Sequence, residues 1–313
     1  MKIIVTGAAG FIGSHLCEHL SEQGHDVLGI DCFTDFYSVA LKKQNAQDLK
    51  RKGIPILPLD LCGADLNGAL KDVDNIYHLA AQPGLSATTT FSTYARNNIT
   101  ATYNLLEAAR NQATLKCFIY ISTSSVYGKY ATSPEDAPAM PTSYYGVTKL
   151  AAEQLVLSYC RTGKIPACSL RLFSVYGPRE RPEKLYSRLI KCILEDAEFP
   201  LYQGSELHTR SYTYIDDVMH GFLSVLKRLD QVSGEIFNIG SDIEITTGRG
   251  IEIVEEILGR QARKIIQPAR LGDQLKTHAN IEKARRILNY NPQTKPEDGL
   301  RLQIEWYKKT FLR

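Results

Sequence analysis

The stretch that decides the fold is MKIIVTGAAGFIG, which spans residues 1–13 of the 313-residue chain. The apolar run Ile3–Thr6 predicts a buried strand, and apolar residues then repeat at helical spacing over 11–23. A strand that passes through a glycine-rich turn directly into a helix is typical of the first unit of a parallel sheet with crossover helices.

The turn itself has the residues that a phosphate site needs. Gly7, Gly10 and Gly13 allow a tight turn, a close approach of the backbone to a pyrophosphate, and close packing of the helix on the sheet. The first helical turn, which contains Phe11 and Ile12, presents unpaired N–H groups and the positive end of the helix dipole. We therefore predict that these five residues bind the pyrophosphate of a dinucleotide.

Short apolar runs alternate with helical patterns through the first two-thirds of the chain, as in a parallel α/β sheet. Further strands are predicted at 27–31, 55–60, 75–80, 116–122 and 167–172, and long helices at 94–111 and 144–162. After residue 173, helical segments at 184–195, 216–227 and 248–258 alternate with short strands and turns. We expect an α/β fold, with a doubly wound Rossmann-type parallel sheet and a smaller C-terminal substrate-binding α/β lobe.

The expected domains are discontinuous in the sequence. Residues 1–172 and 211–245 are assigned to the nucleotide-binding domain. Residues 173–210 and 246–313 are assigned to the smaller lobe. The regular alternation of strand and helix patterns changes after the sixth predicted strand, and the chain is then expected to cross back.

The composition limits what the chain binds. A formal net charge of +3 at pH 7 gives no general attraction to nucleic acid or to a membrane surface, and we predict neither as a partner. The sequence has no secretory signal and no apolar run of membrane-spanning length, so the expected location is the cytoplasm. The seven cysteines include no Cys-x-x-Cys pair, and we expect free thiols, no disulfide and no metal.

The acidic residue at the end of the second predicted strand bears on the choice of cofactor. Asp31 can accept hydrogen bonds from an adenosine ribose, and no Arg or Lys follows it directly. A 2′-phosphate would meet a negative charge there, so NAD is favoured over NADP. Asp60 and Leu61 are expected to border the adenine, although Asp60 can also serve as a helix or turn cap.

A catalytic pair is predicted from the spacing of Tyr145 and Lys149. The two side chains lie one turn apart on a predicted helix, where a lysine ammonium would lower the pKa of the phenol. The fifth strand ends in the hydroxyl-rich segment 122–125, at the sheet edge where open α/β folds bind ligands. We expect an active site there; the alternative is a helix surface beside a polar turn.

Taken together, these motifs resemble the extended short-chain dehydrogenase/reductase family, in particular its nucleotide-sugar epimerases and dehydratases. The resemblance covers nearly the whole chain and rests on TGAAGFIG at 6–13, HLAA at 78–81, NITATYNLLEA at 98–108, Tyr145 with Lys149, and RSYTYIDDV at 210–218. It implies NAD as the cofactor and a UDP-sugar as the substrate. It also implies a homodimer that forms through the helices near 94–111 and 144–162.

The resemblance implies roles for individual residues. Tyr145 would remove the proton of the sugar 4-OH, and Lys149 would tune it and hold the nicotinamide ribose. Thr123 would bind O4, with help from Ser124 or Ser125. Further cofactor contacts are implied for Leu79, Ala80, Ala81, Asn98 and Ser122, and contacts to the UDP end for Tyr202, Arg210, Arg270 and Asp273.

The residues after Thr123 distinguish reactions within the family. Dehydratases of this type have an Asp-Glu pair there, and UDP-glucuronate decarboxylases have Glu at the position of Ser125. The serines of this chain therefore imply C4 epimerisation through a 4-keto intermediate. The segments 35–38 and 174–182 resemble those of UDP-glucuronate 4-epimerases, in which Ser174 and Arg181 would suit a C6 carboxylate; the alternative for Arg179 and Arg181 is a solvated basic loop.

Several other functions stay open on the sequence alone. They are a UDP-glucuronate decarboxylase, a 4-epimerase of UDP-glucose/galactose or of an N-acetylhexosamine, and a non-catalytic protein that senses NAD. The last is disfavoured because Tyr145 and Lys149 are both intact.

Overall fold

The computed structural model describes residues 1–84, 88–269 and 274–312. Its strands are β1 Lys2–Thr6, β2 Asp26–Ile30, β3 Ile56–Leu57, β4 Asn75–His78, β5 Cys117–Thr123, β6 Tyr130–Ala131, β7 Ala167–Leu172, β8 Val175–Tyr176, β9 Glu198–Tyr202, β10 Thr209–Arg210, β11 Thr213–Tyr214, β12 Ile236–Ile239, β13 Ile245–Thr246, β14 Arg263–Gln267 and β15 Lys276–Thr277. Its α-helices are α1 Phe11–Glu22, α2 Val39–Arg51, α3 Asn67–Leu70, α4 Phe91–Tyr94, α5 Ala101–Ala109, α6 Tyr144–Arg161, α7 Leu185–Leu194, α8 Ile215–Leu226, α9 Leu229–Val232, α10 Thr247–Leu258, α11 Glu282–Leu288 and α12 Pro296–Phe311.

The largest sheet has seven parallel strands in the order β12-β7-β5-β4-β1-β2-β3. Strands β4, β5 and β7 are buried along their whole length because the sheet is covered on both faces. The chain runs outward in one direction through β2 and β3 and in the other through β4, β5, β7 and β12, which is the doubly wound topology. The predicted Rossmann-type α/β fold is confirmed.

The third strand is the element that departs most from its prediction. Residues 55–60 were expected to be a strand, but only Ile56 and Leu57 are paired with β2. Pro55 and Pro58 flank this pair, and proline has no N–H to donate to a sheet. The sequence pattern also did not predict strand β12, which completes the seven-stranded sheet, or the helices α2 and α12.

The helix that was predicted over 94–111 begins earlier and changes its winding. The Thr90 side chain caps α4, residues 95–100 then form a π-helical segment, and α5 ends at Ala109. The helix predicted over 144–162 is α6, whose first turn is capped by the Ser143 hydroxyl at 3.1 Å from the Gly146 N–H.

Smaller sheets extend the fold beyond β7. One has the order β13-β10-β15-β6, and two-stranded pairs are formed by β8 with β11 and by β9 with β14. Strand β12, within the predicted segment 211–245, joins the large sheet; the division into two discontinuous domains stays a prediction. Within the described residues, no helix is long and apolar enough to cross a bilayer.

Candidate functional site

A cleft of about 590 Å³ lies at the carboxyl ends of β1, β2, β4, β5 and β7. Its wall contains all but three of the residues predicted for the site, namely Gly7, Gly10, Phe11, Ile12, Gly13, Asp31, Asp60, Leu61, Leu79, Ala80, Ala81, Ser122, Thr123, Ser124, Ser125, Tyr145, Lys149, Ser174, Arg181, Tyr202 and Arg210. Asn98 lies outside the wall, and Arg270 and Asp273 lie outside the described residues.

The glycine turn has no room for side chains. Gly7 has a φ of +72°, and a Cβ added to it would lie 2.9 Å from the Ala80 nitrogen. A Cβ on Gly13 would lie 2.2 Å from the Gly7 carbonyl oxygen. Helix α1 begins after Gly10 without a side-chain cap, so the N–H groups of its first turn face the cleft. This arrangement suits a pyrophosphate.

The two carboxylates predicted near the adenosine have different surroundings. Asp31 is buried and accepts hydrogen bonds from the Ala9 N–H at 3.0 Å and the Phe33 N–H at 2.8 Å. Asp60 is half-exposed, accepts from the Cys62 N–H, and forms an ion pair of 2.6 Å with Arg96. The alternative of a turn cap therefore describes Asp60 well, although it also lines the cleft.

A lysine near Asp31 was missed by the sequence reasoning. Lys42 on α2 is buried, donates from Nζ to the Thr34 carbonyl at 2.6 Å, and lies 4.6 Å from the centre of the Tyr37 ring. It is separated from Asp31 by eleven positions in the sequence, and only the turn into α2 brings it into the cleft wall. The sequence argument for NAD rests only on the residues directly after the strand, so it did not include Lys42.

A buried hydrogen-bond chain supports the floor of the cleft. The Thr6 hydroxyl lies 2.7 Å from Nδ1 of His78, and Nε2 of His78 lies 2.9 Å from the Thr102 hydroxyl. Burial lowers the pKa of His78 to about 3, so this histidine is neutral. The Thr102 hydroxyl in turn donates to the Asn98 carbonyl at 2.5 Å.

Asn98 acts beneath the cleft and not in its wall. Its Oδ1 accepts from the Gln82 N–H at 2.7 Å, and its Nδ2 donates to the Thr148 hydroxyl at 3.0 Å. Asn97, the other asparagine of the π-helical segment, lies in the cleft wall. The contact of Asn98 with the cofactor stays a prediction. Asn98 also supports α6 through its hydrogen bond to Thr148.

Tyr145 and Thr123 are hydrogen-bonding neighbours in the cleft wall. Burial raises the pKa of Tyr145, while hydrogen bonding with Thr123 and the positive charge of Arg181 act in the opposite direction. Thr123 ends β5, and its hydroxyl also accepts from the Ser125 N–H at 3.2 Å. Ser122, the residue before it, has a buried hydroxyl without a hydrogen-bond partner among the described residues.

Lys149 contacts the strand below α6 and a neighbouring ring, and its expected effect on the Tyr145 phenol stays a prediction. Its Nζ donates to the Ile121 carbonyl at 2.5 Å and lies 4.2 Å from the centre of the Tyr120 ring. Burial lowers the pKa of Lys149 to about 7, although the charge of Glu153 opposes this. The sequence placed Lys149 on the correct face of α6, but the strand below it offers a carbonyl that the spacing could not reveal.

The basic segment after β8 is not a solvated loop. The side chains of Arg179 and Arg181 are only 15% and 16% exposed. Arg181 lies in the cleft wall, 5.5 Å from the centre of the Phe36 ring, and forms an ion pair of 2.7 Å with Glu183. Arg181 is thus the cation whose charge acts on the Tyr145 phenol.

The far end of the cleft contains basic side chains of the kind that bind a diphosphate. Arg210 donates to the carbonyl oxygens of Thr209 and Gln274. Gln274 donates in turn from Nε2 to the Gly128 carbonyl at 2.9 Å, which connects Arg210 to the segment after Thr123. Three further wall residues here, which the sequence reasoning did not predict, are Lys184, Arg188 and His208.

Comparison with known proteins agrees with this geometry. The sequence profile described as the NAD dependent epimerase/dehydratase family matches residues 3–240. The chain belongs to this family. The predicted membership of the extended dehydrogenase/reductase group is therefore confirmed.

Several relatives match over nearly the full length of the chain. The protein YtcB of Bacillus subtilis, described as an uncharacterized UDP-glucose epimerase, is 40% identical over 99% of both chains. UDP-glucuronate 4-epimerase 6 of Arabidopsis thaliana is 34% identical over 98% of this chain and 71% of its own length. The UDP-glucuronic acid 4-epimerase of Bacillus cereus, solved with UDP-glucuronic acid and NAD, is 40% identical, covers 99% of this chain and 100% of its own, and superposes with a TM-score of 0.95.

Proposed function

We propose that this protein uses NAD to epimerise C4 of a UDP-sugar, with UDP-glucuronate converted to UDP-galacturonate. The observation that carries the proposal is the pairing of Tyr145 with Thr123 in a cleft that begins at the glycine turn of α1. The chain's family and the ligands of its Bacillus cereus relative support the same assignment.

The residues of the chain fit NAD. The glycine turn leaves space only for an approaching ligand, and the uncapped N-terminus of α1 suits its pyrophosphate. Asp31 would accept hydrogen bonds from a ribose, and the Ser122 hydroxyl, which has no partner among the described residues, would be available to the cofactor. When bound, NAD⁺ would accept a hydride from the sugar carbon and later return it.

Tyr145 and Thr123 carry the proton chemistry. The Tyr145 oxygen would take the proton of the sugar 4-OH, with the Thr123 hydroxyl holding O4 in place. Burial raises the pKa of Tyr145, and the charge of Arg181 opposes this rise, so Arg181 favours the phenolate form electrostatically. The 4-keto sugar would then rotate so that the hydride returns to the opposite face of C4. Return of the proton from Tyr145 to O4 completes the cycle.

The acidic residues of the cleft favour epimerisation over elimination. Four acidic residues line the described part of the wall, namely Asp31, Asp60, Glu180 and Glu183. None of them stands on the turn after Thr123, where Ser124 and Ser125 supply hydroxyls only. Proton removal from C5 and loss of a C6 hydroxyl need an acid/base pair beside the sugar, and that turn does not provide one.

Arg181 supports a uronate as the substrate. Its charge acts on the Tyr145 phenol and both residues line the cleft, so we expect a carboxylate at C6 of a sugar whose O4 meets Tyr145 to be within its reach. A 4-keto uronate is a β-keto acid that loses CO₂ when its carboxylate aligns with the ketone π system. Holding the carboxylate through Arg181 and the hydroxyls of Ser124, Ser125 and Ser174 would keep it out of that alignment.

The decisive experiment is turnover of UDP-glucuronate with NAD⁺, with products resolved by NMR. UDP-galacturonate is the expected product. A UDP-pentose with CO₂ would reassign the protein as a decarboxylase, and the absence of turnover with every UDP-sugar would favour a sensor of NAD.

A neutral UDP-hexose is a second candidate substrate. Glu183 already neutralises Arg181 at 2.7 Å, so the cleft does not require an anionic sugar. Arg181→Ala should weaken binding of UDP-glucuronate about tenfold or more and leave binding of UDP-glucose nearly unchanged. Equal losses for both ligands would favour the neutral sugar.

We also propose a homodimer and a cytoplasmic location. Four apolar side chains on α4, α5 and α6 are between 43% and 60% exposed, namely Phe91, Tyr103, Tyr144 and Val147. The ring centres of Phe91 and Tyr144 are 5.4 Å apart in an edge-to-face arrangement, so these exposed groups form an apolar patch that joins α4 and α6. Val147→Glu should therefore shift the mass measured by light scattering from dimer to monomer, and an unchanged mass would place the contact elsewhere.

A further inference from the structure

An ion pair fastens the segment that carries Arg181 to the helix that begins at the glycine turn. Arg179 Nη2 lies 2.9 Å from Glu18 Oε1 on α1, and Arg179 Nη1 donates to the Ser14 hydroxyl at 3.3 Å. The two charged side chains are 15% and 10% exposed. Nε2 of His15, on the same helix, lies 2.9 Å from the Pro178 carbonyl oxygen.

The fastened segment has a backbone shape that its residues do not favour. Arg179 has a φ of +68° and Ser174 a φ of +25°, and both fall in the left-handed region that non-glycine residues rarely adopt. Gly177, between them, has a φ of +139°. Such a conformation persists when surrounding contacts hold it, and the contacts of Arg179 with α1 are of that kind.

Arg179 and Arg181 have different positions although they are two residues apart. Arg181 lies in the cleft wall, whereas Arg179 does not and points to α1 instead. Glu18 has a second cation beside it, since Lys52 Nζ lies 3.3 Å from the same oxygen. Burial raises the pKa of Glu18, but the Arg179 hydrogen bond, the charges of Arg179 and Lys52 and that of His15 outweigh it, so the pKa is lowered and Glu18 stays ionised.

We propose that Arg179 and Glu18 are positioning residues for substrate selection, which hold the segment 174–181 so that Arg181 is presented to the carboxylate of the sugar. This inference rests on the proposed function, because it assigns Arg181 to a C6 carboxylate. It adds that the helix whose N-terminus suits the pyrophosphate also sets the position of the residue that recognises the sugar.

The test compares two carboxylates on one helix. Glu18→Gln removes the charge that Arg179 binds, and Glu22→Gln is the matched control, since Glu22 pairs with Lys52 at 3.6 Å but not with Arg179. We expect Glu18→Gln to raise KM and the calorimetric Kd for UDP-glucuronate about tenfold, with kcat changed less than about twofold and Kd for UDP-glucose unchanged. Glu22→Gln should change none of these.

A double-mutant cycle connects the effect to Arg181. Arg179→Gln should weaken UDP-glucuronate binding in the wild type but add little once Arg181→Ala is present, because the residue it positions is gone. Arg179→Lys, which keeps the charge towards Glu18, should recover part of the affinity. The melting temperature of each variant, and Glu18→Gln as the milder change, cover the case in which Arg179→Gln does not fold.

Three results would overturn the inference: additive losses in the cycle, equal losses for UDP-glucuronate and UDP-glucose, or an effect of Glu22→Gln as large as that of Glu18→Gln. Each presupposes a wild-type enzyme that turns over UDP-glucuronate. Failure of that turnover would instead reject the proposed function itself.

Discussion

The two ends of the cleft are built from different parts of the polypeptide. The cofactor end is formed mainly by backbone, in the glycine turn and at the ends of parallel strands. The substrate end is formed by long side chains such as Arg181, Tyr202 and Arg210, which come from separate segments and smaller sheets. Ligand binding at the cofactor end thus depends on free space and on the direction of the backbone. At the substrate end it depends on charged side chains and on the residues around them.

This difference predicts how the ends respond to substitution. At the cofactor end a single methyl group is harmful because a carbonyl or amide already occupies the space. At the substrate end a lost charge changes which sugar binds, and the fold is affected less. Tyr145 stands where the two ends meet, so it should be the most sensitive position.

Tyr145→Phe should have the largest effect. It removes the group that takes the 4-OH proton, and kcat should fall about 10²- to 10⁴-fold while binding of NAD and UDP-sugar is largely kept. The control is Tyr144→Phe at the preceding residue, which is 60% exposed and outside the cleft wall. Steady-state rates and calorimetric titrations measure both, and substantial turnover by Tyr145→Phe would remove the phenol from the mechanism.

Gly13→Ala tests the cofactor end next. Its Cβ would lie 2.2 Å from the Gly7 carbonyl oxygen, so the turn must move, and we expect loss of measurable NAD binding with about 1–3 kcal/mol of lost stability. Gly63→Ala is the matched control, because within the described part of the chain no atom beyond its two sequence neighbours lies within 4 Å of a Cβ there. Titration of NAD and urea unfolding measure both effects, and normal NAD affinity in Gly13→Ala would show that the ligand does not need this turn.

The cofactor end is also the part that a sequence can reveal. The glycine turn, the strand ends and the pair Tyr145 and Lys149 are set by local spacing, and the structure places all of them in one wall. The strand predicted over 55–60 is too long, because Pro55 and Pro58 fall within the apolar pattern but have no N–H to donate to a sheet.

The rest of the site depends on contacts between distant segments. Lys42 reaches the wall through the turn into α2, and Gln274 through the strand order β10-β15-β6. The segment of Arg181 is held by the ion pair of Arg179 with Glu18, which are 161 residues apart. No local spacing specifies these arrangements. The Lys149 contact with the Ile121 carbonyl is of the same kind, since it depends on where α6 crosses β5.

The buried Lys149 gives a pH-dependent prediction for the cofactor end. Burial lowers its pKa from 10.5 to about 7, so between these values the unfolded chain binds a proton that the folded chain does not. The cofactor-free protein should therefore be destabilised by the buried charge below about pH 7 and gain stability as the pH rises from about 7 towards 10.5.

Lys149→Met should remove this gain. Urea unfolding of the wild type and the variant at several pH values gives the difference, in which the contributions of other titrating groups cancel. Lys50→Met, at an exposed site on α2, should leave the pH dependence as it is in the wild type. A wild-type curve that stays parallel to that of Lys149→Met would mean that Lys149 keeps an ordinary pKa.

The smallest effect is expected within the cofactor end, at Asp60. Its ion pair with Arg96 joins side chains that are 43% and 53% exposed, and such pairs contribute less than about 1 kcal/mol. Asp60→Asn should therefore change the Kd for NAD less than about threefold, whereas Asp31→Asn should weaken NAD binding clearly, since Asp31 is buried and holds two backbone N–H groups. Titrations with NAD and NADP compare the two variants. Equal losses would mean that Asp60 contacts the adenosine directly, as the sequence first indicated. The half-exposed Asp60 would then contribute as much to NAD binding as the buried Asp31.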